Sequence, residues 1–279
     1  MTISGLRKDI ESRFKKAGIE YPEADTEWLL ASLIECSRSE LPLHLNRNVS
    51  ENEINTLMDL VERREKREPL QHIFNSTNFY GLEFKVSKAA LVPRPETEQI
   101  IELTAKDLAK IPSPLIYDFG TGSGCLAITL AKQHLNARII ASDISQDAIQ
   151  LAKRNAVLLG VADRIDFREE NGLALKDSER AHLIVSNPPY IPTKEIPLLQ
   201  PEVKEFDPHT ALDGGCDGLD YYRMLAKWQR FLTIDGSLIA EIGDDQKEAI
   251  YNIFRESNWQ NVRFKSDLSG KPRIVIATG

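Results

Sequence analysis

A mostly parallel β-sheet with helices on both faces, preceded by a small helical bundle, is the fold class that this 279-residue sequence predicts. Three observations carry the prediction. After Pro114, short apolar runs alternate with stretches of helical length, a rhythm that makes parallel strands joined by crossover helices. Over residues 1–74 the apolar residues recur at three- and four-residue spacing, the period of a helix face. Between the two parts, a run of apolar residues around Gly81 suits a β-hairpin.

In the first part, Leu6, Ile10 and Phe14 recur at every fourth residue, and Gly18 stops that helix. Pro22 suits a first helical turn, ahead of Trp28, Leu29, Leu33 and Ile34. Ser50 and Glu53 form a capping-box pair before the stripe Ile54, Leu57, Met58 and Val61, and Pro69 ends this helix. The basic run Arg63-Arg64-Glu65-Lys66-Arg67 reads as a solvated helix end. Phe79, Leu82, Phe84 and Val86 supply the hairpin, and Pro93-Arg94-Pro95 leads into a helix carrying Ile100, Ile101 and Leu103. Strands are expected over 115–119, 138–142, 164–168, 182–186 and 237–242, with helices over 125–134, 146–159 and about 219–231. Two closing strands around Gly270-Lys271-Pro272 suit a hairpin that sets one antiparallel strand at or near the sheet edge. The expected organisation is a helical domain over 1–74, a hairpin linker over 75–92 and an α/β domain over 93–279.

Composition narrows the classes. Apolar residues at 42% and charged residues at 28% are those of a soluble globular chain. Residues 1–20 alternate charged and apolar groups, so a secretory signal is not expected there, and no window approaches the roughly 18 apolar residues of a membrane helix. Cys36, Cys125 and Cys216 stand in no paired spacing and read as buried small hydrophobes of a reducing compartment. The cytoplasm and a monomer are the expectations. A net charge of −7 disfavours direct nucleic-acid binding, which normally needs a basic surface.

Asp118-Phe119-Gly120-Thr121-Gly122-Ser123-Gly124 follows the first α/β strand and opens a helix, with Asp143 ending the next strand. Glycines let the backbone turn sharply and approach a ligand, and a carboxylate at that strand end suits the two hydroxyls of a ribose. The same letters also fit a dinucleotide fingerprint, Gly122-x-Gly124-x-x-Ala127, so this turn alone leaves a nicotinamide or flavin cofactor and S-adenosyl-L-methionine both open. A third glycine and the preceding Asp118 favour a single nucleoside with a charged amino-acid tail.

The fourth α/β strand decides between them, because it runs into Asn187-Pro188-Pro189-Tyr190. An amide or aromatic amine nitrogen is a poor nucleophile whose lone pair is delocalised, and it presents two N–H donors. A site that accepts both bonds fixes the group and raises electron density on nitrogen. The Asn187 side-chain carbonyl supplies one acceptor and the Pro188 backbone carbonyl another. Two prolines lack N–H donors and keep that stretch stiff, and Tyr190 offers a flat face for a planar group.

With both motifs in place, the chain resembles the release factor glutamine methyltransferases, the PrmC/HemK family, over nearly its whole length. The resemblance rests also on Glu68-Pro69-Leu70-Gln71, Pro93-Arg94-Pro95-Glu96-Thr97-Glu98, Asp217-Gly218-Leu219-Asp220-Tyr221-Tyr222 and Glu241-Ile242-Gly243. It implies a seven-stranded class I methyltransferase fold with S-adenosyl-L-methionine as cofactor. The implied acceptor is the glutamine of a Gly-Gly-Gln loop in peptide chain release factors. By position, Gly120, Thr121, Gly122, Ser123, Gly124 and Asp143 would line the cofactor, Asn171 after Glu170 would reach the adenine, and Asn187 to Tyr190 would hold the glutamine amide, Asn187 beside the cofactor as well. Arg94 and Glu96 either touch the protein substrate or organise a helix start. A ribosomal-protein glutamine, or an exocyclic amino group of a nucleic-acid base, remains the alternative acceptor.

Overall fold

The computed structural model describes residues 1–108, 111–172, 175–176 and 179–279, with the side chains of 105–107 left aside. The chain divides into two compact units, Met1–Asn75 and Ser76–Gly279.

In the first unit, α1 (Ile3–Lys16) starts at Thr2, whose hydroxyl accepts from the Gly5 N–H. Helix α2 (Pro22–Leu33) has Pro22 in its first turn, and α3 (Glu51–Glu65) opens with the full reciprocal box between Ser50 and Glu53. Such caps satisfy N–H groups that a helix start otherwise leaves orphaned. A short α4 (Leu70–Phe74) follows Pro69. Leu6, Ile10 and Phe14 pack with Leu29, Leu30, Leu57 and Val61 in one core. Two expectations fail here. Trp28 is 50% exposed, because α2 buries Leu29 and Leu30 instead, and the indole lies under the Arg38 guanidinium. Arg64 is buried at the supposedly solvated helix end, and its Nε donates to Asp25 Oδ2 at 2.7 Å. A buried guanidinium without that carboxylate would cost several kcal/mol, roughly 3–5.

The second unit begins with the hairpin β1 (Ser76–Phe79) and β2 (Leu82–Lys85). A 3-10 turn at Pro95–Thr97 leads into α5 (Glu98–Leu108). Then β3 (Leu115–Phe119), α6 (Cys125–Gln133), β4 (Arg138–Asp143), α7 (Gln146–Leu158), β5 (Ile165–Glu169) and β6 (Ala181–Ser186) alternate as expected. After a loop region holding the short α8 (Pro201–Lys204) come α9 (Asp220–Leu225), β7 (Leu232–Glu241), α10 (Lys247–Glu256), β8 (Asn261–Ser266) and β9 (Pro272–Thr278). The seven-stranded sheet has the order β5-β4-β3-β6-β7-β9-β8, and β9 runs antiparallel to both its neighbours, one strand in from the edge.

Neighbouring residues along each strand face opposite ways, so each strand feeds two cores. Tyr117, Ile140, Ile184 and Leu238 pack on one side with Tyr222, Trp228 and Phe254. Ile116, Ile139, Leu183 and Ile239 pack on the other with Ile100, Leu126 and Leu130. The helix expected over 219–231 is α-helical only to Leu225 and continues as a 3-10 helix over Ala226–Phe231. Leu225, Trp228 and Phe231 are buried at three-residue spacing, the period that stacks side chains on one face of a 3-10 helix. Strand β7 also starts five residues earlier than expected, at Leu232, with an irregular register against β6 between Ala181 and Leu183. Cys216 is exposed and Cys36 and Cys125 are only partly buried, against the expectation of three buried cysteines. Among the described residues, no helix is long and apolar enough to cross a membrane.

Candidate active site

Strand β3 pairs with β4 on one side and β6 on the other, with Phe119 opposite both Ser142 and Ser186. That makes β3 the point where strand order reverses, and open α/β sheets form their binding crevice beyond the carboxyl end of such a strand. Three chain segments leave the sheet there: the glycine turn after β3, Asp143 ending β4 and Asn187 following β6.

The glycine turn is built by its neighbours. Thr121 N–H donates to the Ser142 carbonyl at 2.9 Å, and Gly122 N–H donates to Asp143 Oδ2 at 2.9 Å. Asn155 on α7 donates from Nδ2 to the carbonyls of Ser123 and Lys85, and its Oδ1 accepts from Lys85 N–H, so one buried amide ties the turn to the hairpin. Gly120 and Gly124 have different duties. Gly120, at φ +68°, has open space where a Cβ would stand, and it lines the crevice. Gly124, at φ +83°, would press a Cβ against Ile128 and Ala152 at 2.9 and 3.1 Å, so its lack of a side chain serves helix packing.

Two carboxylates stand nearby in different surroundings. Asp118 is fully buried and outside the crevice lining; its Oδ2 accepts from the Thr121 hydroxyl at 2.7 Å and from Ala127 N–H at 3.1 Å. Burial pushes its carboxyl up to about 7 against these two donors, with the nearby Asp143 adding to the rise. Its visible work is to close the turn from within. Asp143 lies in the crevice wall, with Oδ2 on Gly122 N–H and Oδ1 on Ser145 N–H at 2.9 Å. Burial raises its carboxyl too, and the backbone N–H groups oppose the shift. Each oxygen holds one donor and keeps a lone pair for another, which suits a vicinal diol.

On the other side of β3, Ser186 Oγ donates to the Phe119 carbonyl at 2.8 Å and locks the strand ends together. Asn187 Nδ2 donates to Thr97 Oγ1 at 3.0 Å, and Thr97 Oγ1 donates in turn to Glu241 Oε2 at 2.5 Å. Tyr190 turns its hydroxyl to Glu241 Oε1 at 3.3 Å, and its carbonyl accepts from Gln246 Nε2 at 2.8 Å. Burial, with Glu241 adding to it, pushes the Tyr190 phenol well above its ordinary range.

The crevice encloses about 920 Å3 including its open mouth. Of the residues expected from sequence, Gly120, Thr121, Gly122, Ser123, Asp143, Asn171, Asn187 and Pro189 line it, whereas Gly124, Pro188 and Tyr190 do not. Glu170 N–H donates to the Asp143 carbonyl at 3.0 Å, which sets Asn171 beside the ribose-type carboxylate. Sequence reasoning missed Thr97, Phe119, Ile144 and Tyr221 in the lining. Ile144 is 50% exposed, an apolar wall next to Asp143, and Tyr221 sits with its ring 6.0 Å from that of Phe119. Arg94 donates to the buried Asp207 Oδ2 at 2.8 Å, and Val92 N–H donates to the same carboxylate, so Arg94 anchors the segment before Thr97. The donor set, an open backbone at Gly120, a diol-accepting carboxylate and apolar walls, fits a nucleoside cofactor.

Comparison with known proteins gives the same picture. Residues 6–74 match the PrmC N-terminal domain and residues 99–199 the methyltransferase small domain. A release factor glutamine methyltransferase from Geobacter sulfurreducens is 38% identical over 92% of this chain and 90% of its own length. One from Bradyrhizobium diazoefficiens is 37% identical over 99% of this chain and 94% of its own. Among solved structures, a methyltransferase from Pyrococcus furiosus is 16% identical, covers 77% of this chain and 97% of that one, and superposes with a TM-score of 0.53, a likeness of fold. With that identity sustained over nearly the whole length of both partners, the chain belongs to the release factor glutamine methyltransferase family.

Proposed function

We propose that this chain methylates the side-chain amide nitrogen of the glutamine in the Gly-Gly-Gln loop of peptide chain release factors, with S-adenosyl-L-methionine as methyl donor. One observation carries the chemistry: Asn187, in the wall of the crevice that Asp143 and the glycine turn also line, has its Nδ2 engaged by Thr97. Its Oδ1 is left as an acceptor for an N–H, and a primary amide brings two. Pro188, which does not itself line the crevice, offers its backbone carbonyl next to Asn187 as the second acceptor, and the stiffness of Pro188-Pro189 holds that carbonyl in place. When bound, S-adenosyl-L-methionine supplies an electrophilic methyl group on a sulfonium. Gly120, Thr121, Gly122 and Ser123 would hold it along the turn, Asp143 would accept from the ribose hydroxyls, and Asn171 would stand on the adenine side.

The amide nitrogen would gain a methyl as the donor's carbon–sulfur bond breaks, leaving a neutral thioether, and would shed one of its two protons to solvent. Its lone pair is delocalised into the carbonyl, so the residues have to fix the plane of the amide and draw its N–H bonds toward acceptors. Held this way, the nitrogen becomes more electron-rich and faces the reacting carbon. Gly124 serves by packing α6 under the turn, and Tyr190 serves by holding the strand exit rigid through Glu241. The helical part, residues 1–74, recognises the protein substrate, with 75–92 as the linking hairpin and 93–279 as the methyltransferase domain. The enzyme acts as a cytoplasmic monomer on protein; the net charge of −7 argues against a nucleic-acid acceptor.

The test is to incubate the protein with isotopically labelled cofactor and separated cell fractions, and to locate the methyl group by tandem mass spectrometry. Label on the glutamine of the Gly-Gly-Gln loop is the expected result. Label on a ribosomal protein or a nucleic-acid base instead would replace the acceptor named here.

A further inference from the structure

We propose that Thr97 and Glu241 form a positioning relay that fixes which way the Asn187 amide faces. The proposal rests on the acceptor reading of Asn187 given above. The two residues lie 144 positions apart, Thr97 at the end of the 3-10 turn Pro95–Thr97 and Glu241 at the end of β7, yet their side chains meet at 2.5 Å. Thr97 is 1% exposed and Glu241 is 3% exposed, so neither contact is shared with bulk water.

A side-chain amide has nearly the same shape when rotated by half a turn, but the rotation exchanges an acceptor for two donors. For Asn187 the difference is functional. One orientation offers Oδ1 to an incoming amide N–H, and the other sets N–H against N–H. Thr97 selects between them because a hydroxyl has a single proton. That proton goes to Glu241 Oε2, a carboxylate oxygen that only accepts. Lone pairs are then all that Thr97 Oγ1 presents to Asn187, and only Nδ2 satisfies them, as the 3.0 Å contact has it. Glu241 is itself held at three points. Its Oε1 accepts from the Tyr190 hydroxyl at 3.3 Å, its Oε2 from Thr97, and its backbone carbonyl from the buried Tyr222 hydroxyl at 2.7 Å.

Selection depends on Glu241 remaining an acceptor. Burial pushes its carboxyl up to about 7, with Glu96 raising it further and Thr97, Tyr190 and Arg273 drawing it down. Arg94, the half-buried Cys125 and the buried Tyr222 also couple into this cluster. A proton on Glu241 would be donated to Thr97 Oγ1. The threonine proton would then turn to Asn187, and the amide would rotate to meet it with Oδ1. The relay therefore carries a protonation state of β7 into the orientation of the acceptor clamp, with no contact between Glu241 and substrate.

Thr97→Val keeps the shape and removes the hydroxyl, Thr97→Ser restores the hydroxyl, and Glu241→Gln removes the obligatory acceptor. In single-turnover methyl transfer with the full chain, Thr97→Val should lower kcat about tenfold to a hundredfold, the usual scale for a misplaced preorganised group. KM and the affinity for S-adenosyl-L-methionine should stay within twofold. Thr97→Ser should return to within threefold of wild type, and Glu241→Gln should lose the acidic limb of the pH–kcat profile. A readout independent of turnover is the side-chain 15N–1H signal of Asn187 in the protein without cofactor, assigned by its disappearance in Asn187→Ala. It should be shifted and protected in wild type and Thr97→Ser, and should move to the free-amide position in Thr97→Val. An unchanged Asn187 signal in Thr97→Val, or equal activity loss in the Val and Ser variants, would overturn the relay. Failure of the wild type to methylate any glutamine would strike the acceptor reading and leave the spectroscopic test of the relay standing.

Discussion

The two outer glycines of the turn should fail in opposite ways when each is replaced by alanine. At Gly124 the backbone has φ +83°, and the new Cβ would stand 2.9 Å from Ile128 Cδ1 and 3.1 Å from Ala152 Cβ. The left-handed conformation costs a residue with a Cβ about 1–2 kcal/mol, and overpacking costs about 1–3 kcal/mol more. Ile128 can swing its terminal methyl aside, but Ala152 has no rotamer to change, so the overpacking term stays. Gly124→Ala should therefore lose about 2–5 kcal/mol, a fall in Tm of roughly 4–20 °C for a unit of this size. At Gly120, φ is +68° and nothing lies within 4 Å of the new Cβ, so only the conformational cost of about 1–2 kcal/mol applies. The methyl group would instead occupy the crevice lining. Calorimetric unfolding and cofactor titration, run on both variants, separate the cases. Gly120→Ala should melt within roughly 8 °C of wild type and bind S-adenosyl-L-methionine at least about tenfold more weakly, a loss of 1.4 kcal/mol or more. If Gly124→Ala proves no less stable than Gly120→Ala, or if Gly120→Ala binds the cofactor like wild type, the division of labour within the turn is wrong.

Asp143→Ala removes the carboxylate that meets both a ribose and the N–H groups of Gly122 and Ser145. It should weaken S-adenosyl-L-methionine binding by about 1.5–3 kcal/mol or more by calorimetry, and tight binding of a nicotinamide dinucleotide instead would reverse the cofactor assignment. Asp118, raised to about 7 from an ordinary 3.8, binds its proton more tightly in the folded chain than in the unfolded one. Its contribution to stability is thus present below about pH 4 and is lost as pH rises through 7, by up to about 4 kcal/mol. Asp118→Asn should flatten that part of the wild-type Tm profile between pH 4 and 8, and identical profiles would show that Asp118 is ionised throughout. Deleting residues 1–74 should impair methylation of an intact release factor far more than cofactor binding, with circular dichroism verifying that the remainder is folded. An unchanged rate on the intact factor would give the helical unit another role.

Much of this architecture was legible because it is local. The runs 115–119, 138–142 and 182–186 are mostly apolar, bounded by turn residues, and buried over most of their length on both faces as strands β3, β4 and β6. The glycine turn and Asn187-Pro188-Pro189-Tyr190 were legible for the same reason, since each motif is one short segment at a strand end. What escaped depends on partners far along the chain. Arg64 looked solvated because its partner, Asp25, lies on another helix. Thr97 and Glu241 both stood in stretches that carried the family resemblance, but nothing near either residue indicates the other. The 3-10 stretch was readable in principle: Leu225, Trp228 and Phe231 recur at strict three-residue spacing, which was absorbed into a helical pattern. Trp28 misled because an apolar residue beside Leu29 and Leu30 counts toward a stripe even when it points outward.

The central claim is that the Asn187 side chain accepts an N–H of the target glutamine amide, and single-turnover methyl transfer to a purified release factor tests it most directly. Asn187→Ala removes the acceptor and should lower the rate about 10²–10³-fold with little change in cofactor affinity. Asn187→Asp still accepts the bond while adding charge beside a sulfonium, so it should retain measurable activity above the alanine variant. If Asn187→Ala transfers methyl within a few-fold of wild type, Asn187 only shapes the end of β6, and the two-acceptor clamp is contradicted.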